Sequence, residues 1–123
     1  QTRGLVGERE LALMKPSAYL INTARGPIVN EAALYKVLSD KRIAGAALDV
    51  FEHEPASGDN PLFKLDNIIV TPHSICWTDE CFRGNAEGAF RAAVAVAKGE
   101  TPKYIVNTDV LLHPDIKTHL KLG

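Results

Sequence analysis

Three apolar runs in this 123-residue chain each deliver a side chain able to do chemistry. Ala18–Ala24 (AYLINTA) is followed by Arg25, Ile43–Phe51 carries Asp49 near its end with Glu54 just beyond, and Asn67–His73 (NIIVTPH) closes on His73. A guanidinium can grip a carboxylate with two parallel hydrogen bonds. An imidazole, with an ordinary pKa of about 6.5, gives and takes protons near neutrality. A carboxylate set against that imidazole favours the imidazolium and fixes its orientation. Each residue also has a plainer reading: Arg25 as a solvated loop arginine, Glu54 as a surface carboxylate, His73 as a strand-terminal histidine satisfied by backbone. Asp49 interrupts an apolar run, so a buried carboxylate there needs a partner, either functional or structural.

Two other constellations compete. His73, Cys76 and Cys81, with His53 as a fourth ligand, have loosely zinc-like spacing, but paired Cys-x2-Cys knuckles are missing and Cys81 falls at a helix start, so no metal is expected. Ser74 beside His73 lacks the G-x-S-x-G elbow of a hydrolase, and neighbouring strand residues point to opposite faces. Cys76 and Cys81 read as reduced packing thiols, because two cysteines make no disulfide framework.

The elements that must position these residues read as α/β. The three runs are nearly continuous rather than alternating, the pattern of parallel strands covered on both faces. Between the first two, residues 30–42 predict a helix capped by Asn30, with Ala33, Leu34, Val37 and Leu38 on one face. Strand, helix and strand within about 35 residues form a βαβ unit of a doubly wound sheet, whose ligands bind beyond the strands' carboxyl ends. A short helix over 7–14 is stopped by Pro16. A long helix runs from Asp79 to Lys98, capped by Thr78 and stopped by Gly99; its row Gly84, Gly88, Ala92 suggests close helix packing over a hinge or dimer contact. Residues 103–107 suggest an extended segment and 114–122 a short helix. A net charge of −1 and a pI near 6.5 argue against nucleic-acid partners, and every apolar run is too short for a membrane span. The expected setting is cytoplasmic.

INTARGPIVNEAAL (21–34), IAGAALDVFEHEP (43–55) and NIIVTPH (67–73), in this order and spacing, resemble the D-isomer-specific 2-hydroxyacid dehydrogenases, over roughly Thr2 to Asn107. The resemblance implies an NAD- or NADP-dependent oxidoreductase interconverting small 2-keto and D-2-hydroxy acids, a homodimer when full length. It implies Arg25 on the substrate carboxylate, His73 as acid/base and Glu54 as its partner. It sets Asp49 facing the nicotinamide carboxamide, with Thr23 and Ala24 beside the ring.

Two departures stand out. SICWT (74–78) puts bulky Trp77 where many relatives have a small glycine-rich turn. No G-x-G-x-x-G turn is present either, and Gly4-Leu5-Val6-Gly7 follows no strand and lacks the spacing to bring amides to a pyrophosphate. The expectation is a C-terminal fragment: the second half of a Rossmann-type nucleotide-binding domain over 1–77, then a long crossing helix and tail over 78–123 returning towards a substrate domain. The alternative is a non-catalytic, corepressor-like binding protein on the same scaffold.

Overall fold

Apolar β-branched and alanine-rich runs bounded by Pro, Gly and Asp pair here as one parallel sheet. The computed structural model describes residues 2–120 and falls into two units, Gln1–Ile75 and Cys76–Gly123. In the first, β1 (Tyr19–Asn22), β2 (Gly45–Leu48) and β3 (Ile68–Val70) lie in the order β1-β2-β3. Their register aligns Ile21 with Ala47 and Ile69, and Leu20 with Ala46 and Ile68. The strands are shorter than the apolar runs that predict them, because the last residues of each run leave the ladder and form the loops that carry the site.

The β1–β2 crossover is α2 (Glu31–Ser39). Asn30 caps it, its side chain accepting from the Ala33 N–H at 2.8 Å, and Ala33, Leu34, Val37 and Leu38 are buried as the periodicity predicts. With Leu11 of α1 (Glu8–Ala12), Leu62 of the 3-10 turn Pro61–Lys64, and Ile43, Leu48 and Phe51, they form the core on one face of the sheet. Among the described residues of this unit nothing covers the other face: Tyr19 and Ile21 are each 70% exposed and Ile69 69%. Coverage on both faces is therefore not what the described residues provide. Both β connections of this segment, α2 and the 3-10 turn, lie on the same side.

The second unit holds α3 (Asp79–Ala97), a 3-10 turn (Thr108–Leu112) and α4 (Pro114–His119). Thr78 accepts from the Cys81 N–H at 3.2 Å, Asp79 and Glu80 complement the helix dipole, and Gly99, at φ +75°, ends the helix. His119 Nε2 meets the Val96 carbonyl at 2.7 Å, tying α4 to α3. A Cβ at Gly84 or Gly88 would meet nothing within 4 Å, so the expected close packing of that row has no partner among the described residues. Residues 103–107 form no strand. The short helix expected over 114–122 ends at His119, and its last two positions lie outside the described residues. No described helix is long and apolar enough to cross a membrane.

Candidate active site at the carboxyl edge of the sheet

The β1 exit is folded by Asn22. Its buried amide accepts from the Ala24 N–H at 3.1 Å and donates to the Arg25 carbonyl at 3.1 Å, an Asx-type turn that leaves Thr23, Ala24 and Arg25 exposed. The Arg25 guanidinium donates to the Ala24 carbonyl at 2.6 Å. Gly26 then packs so closely on the β2 exit that a Cβ there would lie 1.9 Å from the Phe51 carbonyl atoms. Only glycine lets the two exits meet.

The β2 exit holds both acidic residues. Glu54 folds back on its own loop, Oε1 accepting from the Phe51 N–H at 2.9 Å, while Oε2 meets His73 Nδ1 at 2.7 Å. Phe51's amide, then His73, hold the Glu54 carboxyl below the usual carboxylate range, with Arg25's charge adding to the effect. The three chemically useful side chains from three strand ends are thus electrostatically linked. The same loop is clamped to α2: the Glu31 N–H donates to Glu52 Oε1 at 2.7 Å, the Glu52 N–H donates to Glu31 Oε1, and Asn60 Nδ2 donates to Glu31 Oε2 at 3.0 Å.

Asp49 is 3% exposed, and its partners lie in the β3 exit. Oδ1 accepts from the Thr71 hydroxyl at 2.6 Å and the Ser74 N–H at 3.0 Å, and Oδ2 from the Ile75 N–H at 3.2 Å. The Thr71 hydrogen bond is the largest cause holding this carboxyl below its ordinary range; it and the two amides outweigh the opposing effect of burial. His73, between these donors, takes φ +53°, a left-handed conformation uncommon for a residue other than glycine. Beside the Glu54–His73 pair lies a largely apolar cavity of about 460 Å³ walled by Phe51, Pro55, Phe63, Val70 and Pro72.

These residues suit the nicotinamide end of a dinucleotide. Asp49 Oδ2 has one donor and keeps capacity to accept another from a carboxamide, and Thr23 and Ala24 are exposed at the β1 exit. The pyrophosphate end finds no comparable cradle at Gly4–Gly7, because the Glu10 carboxylate already accepts the Gly7 N–H at 3.0 Å and puts negative charge at the start of α1. Among the described residues no three His, Cys, Asp or Glu side chains gather as a metal site. Sequence reasoning passed over Asn22, Gly26, the Glu31/Glu52 clamp and Thr71; only Gly26, directly after Arg25, carried a local signal.

The three strand exits bring an imidazole, a carboxylate and a guanidinium to the carboxyl edge of a parallel α/β sheet, the edge at which such sheets bind ligands. The family model of the D-isomer specific 2-hydroxyacid dehydrogenase, NAD binding domain, matches residues 1–74, and the chain belongs to this family. It is 50% identical over 111 residues to a glyoxylate reductase of Thermofilum pendens, covering 90% of this chain and 33% of that protein. The crystal structure of D-lactate dehydrogenase with NAD+ from Lactobacillus jensenii aligns with TM-score 0.79 and 35% identity, over 86% of this chain and 36% of that one. The NADPH-dependent glyoxylate/hydroxypyruvate reductase of Sinorhizobium meliloti, solved with NADP and malonate, aligns with TM-score 0.77 and 31% identity, over 87% and 34%. The chain spans about a third of the length of the curated relatives it matches.

Proposed function

We propose that this chain is the C-terminal part of an NAD(P)-dependent oxidoreductase that interconverts a small 2-keto acid and the D-2-hydroxy acid. The observation that carries this reading is the 2.7 Å contact between His73 Nδ1 and Glu54 Oε2 at the carboxyl edge of a parallel sheet. A bound reduced nicotinamide supplies the hydride when the cofactor is present. Arg25 holds the substrate carboxylate in a two-pronged contact and polarises the neighbouring carbonyl. His73, held by Glu54 through Nδ1, presents Nε2 to the substrate oxygen, gives it the proton that completes the alcohol, and takes it back in the reverse direction. Thr23, Ala24 and Asp49 hold the nicotinamide end of the cofactor. Residues 1–77 act as the second half of the nucleotide-binding domain, and 78–123 as a helix and tail running back towards a substrate domain elsewhere in the polypeptide. The full-length enzyme works as a cytoplasmic homodimer, a reading that rests on the family resemblance.

The names of the relatives favour short substrates such as glyoxylate and hydroxypyruvate. The test is oxidation of NADH and NADPH by the full-length protein against a panel of 2-keto acids, with chiral analysis of any product that has a stereocentre. Turnover of a short keto acid to the D-alcohol is expected. No turnover with any member, or an L-product, would remove the reading.

A further inference from the structure

The Glu54–His73 pair does not explain how His73 comes to face Glu54, because His73 sits on a three-residue strand's exit and in a left-handed conformation. Left-handed backbone costs a non-glycine residue free energy and persists only where the surroundings over-determine it. The surroundings here are Asp49 and three donors on either side of His73. Thr71, two residues before it, donates its hydroxyl to Oδ1 at 2.6 Å; Ser74 and Ile75, immediately after it, donate their amides to Oδ1 and Oδ2 at 3.0 and 3.2 Å. One buried carboxylate thereby binds both ends of a five-residue arc and leaves His73 at its crown. Thr71 N–H also continues the sheet ladder to the Leu48 carbonyl at 3.0 Å, so the arc starts from a fixed point.

We infer that Thr71 is a positioning residue: its hydroxyl, latched to Asp49, sets the backbone turn that turns the His73 ring onto Glu54. A hydroxyl is needed because Asp49, as an acceptor-only carboxylate, requires donors, and valine, of the same shape, offers none. Serine keeps the donor. Asp49 then has a task in the apo fold that is separate from any contact with a carboxamide. The role of the latch in proton transfer rests on the proposed dehydrogenase reading, but the latch itself is testable without cofactor or substrate.

The experiment compares full-length wild type, Thr71→Val and Thr71→Ser without cofactor, using ¹⁵N-labelled histidine spectra for the His73 ring and deuterium uptake of the peptide spanning 72–78. His73 is assigned by its loss in His73→Gln, and contact with Glu54 by its change in Glu54→Gln. Thr71→Val should lose the Glu54-dependent ring signature and exchange its Ser74 and Ile75 amides about tenfold faster, the effect of losing one ordinary hydrogen bond. Thr71→Ser should keep both. A valine variant that retains the ring signature overturns the latch. If valine prevents folding, wild type decides: Ser74 and Ile75 amides exchanging as freely as an open loop overturn it, and protected amides support it. A protein that shows the latch yet turns over no 2-keto acid refutes the proposed function and leaves the latch standing.

Discussion

Glu54 is the residue whose ionisation makes the candidate pair. Its folded carboxyl titrates below its ordinary value because the Phe51 amide, and then His73, favour the charged form. A depressed carboxyl contributes stability that is complete above the unfolded pKa, about 4.3, and is lost as the pH falls through the lower folded value. The gap in melting temperature between wild type and Glu54→Gln should therefore be fully open above about pH 4.3 and close as acid protonates Glu54. A gap that stays constant from neutral pH down to pH 2 contradicts the pairing. Arg25 makes a different prediction, because it is exposed and its proposed ligand is the substrate. Replacing Arg25 with lysine should lower kcat/KM for a 2-keto acid by about tenfold to a hundredfold, the loss of a charge-assisted, two-pronged contact that an ammonium cannot reproduce. Steady-state kinetics with near-native kcat/KM in the lysine variant would show that only charge matters there.

The elements supply the precision that residue types alone lack. A methyl group at position 26 would overlap the Phe51 carbonyl, which is backbone and cannot swing aside. Gly26→Ala should therefore cost about 1–3 kcal/mol or more, the scale of overpacking, and should displace the loop that carries Glu54. Thermal denaturation that matches wild type would contradict the close approach. Asn30→Ala removes the cap of α2 at a cost of about 1 kcal/mol by the same measurement. The strands, α2, α3 and their caps were legible because periodicity and cap chemistry are local. Arg25, Asp49, Glu54 and His73 were legible as candidates because charged or ionisable types close apolar runs. What escaped was non-local. Thr71 reaches Asp49 across 22 positions, Glu31 and Glu52 clasp each other across 21, and neither link has a spacing rule. Asp49 was legible as a buried carboxylate in need of a partner, functional or structural, but the donors it meets were not: the Thr71 hydroxyl and the Ser74 and Ile75 amides on either side of His73. Strand length was overestimated because an apolar run does not reveal where hydrogen bonding stops and a loop begins.

At the scale of the molecule, the sheet exposes Tyr19, Ile21 and Ile69 on its uncovered face. An exposed apolar sheet face of this kind promotes association. The 123 residues expressed alone should self-associate in sedimentation experiments, and a stable monomer at high concentration would show that the face needs no cover. The same isolated chain should bind NADH weakly, since it has no glycine-rich turn to hold a pyrophosphate; micromolar binding by calorimetry would contradict that. The central claim, that His73 at the edge of this sheet is the acid/base of a keto-acid reduction, is tested most directly by kcat of the full-length protein and its His73→Asn variant with glyoxylate and reduced cofactor. Asparagine keeps a polar group of similar reach but cannot deliver the proton, so kcat should fall by about 10²- to 10⁴-fold, the usual contribution of general acid catalysis. Unchanged kcat in the asparagine variant would contradict the account.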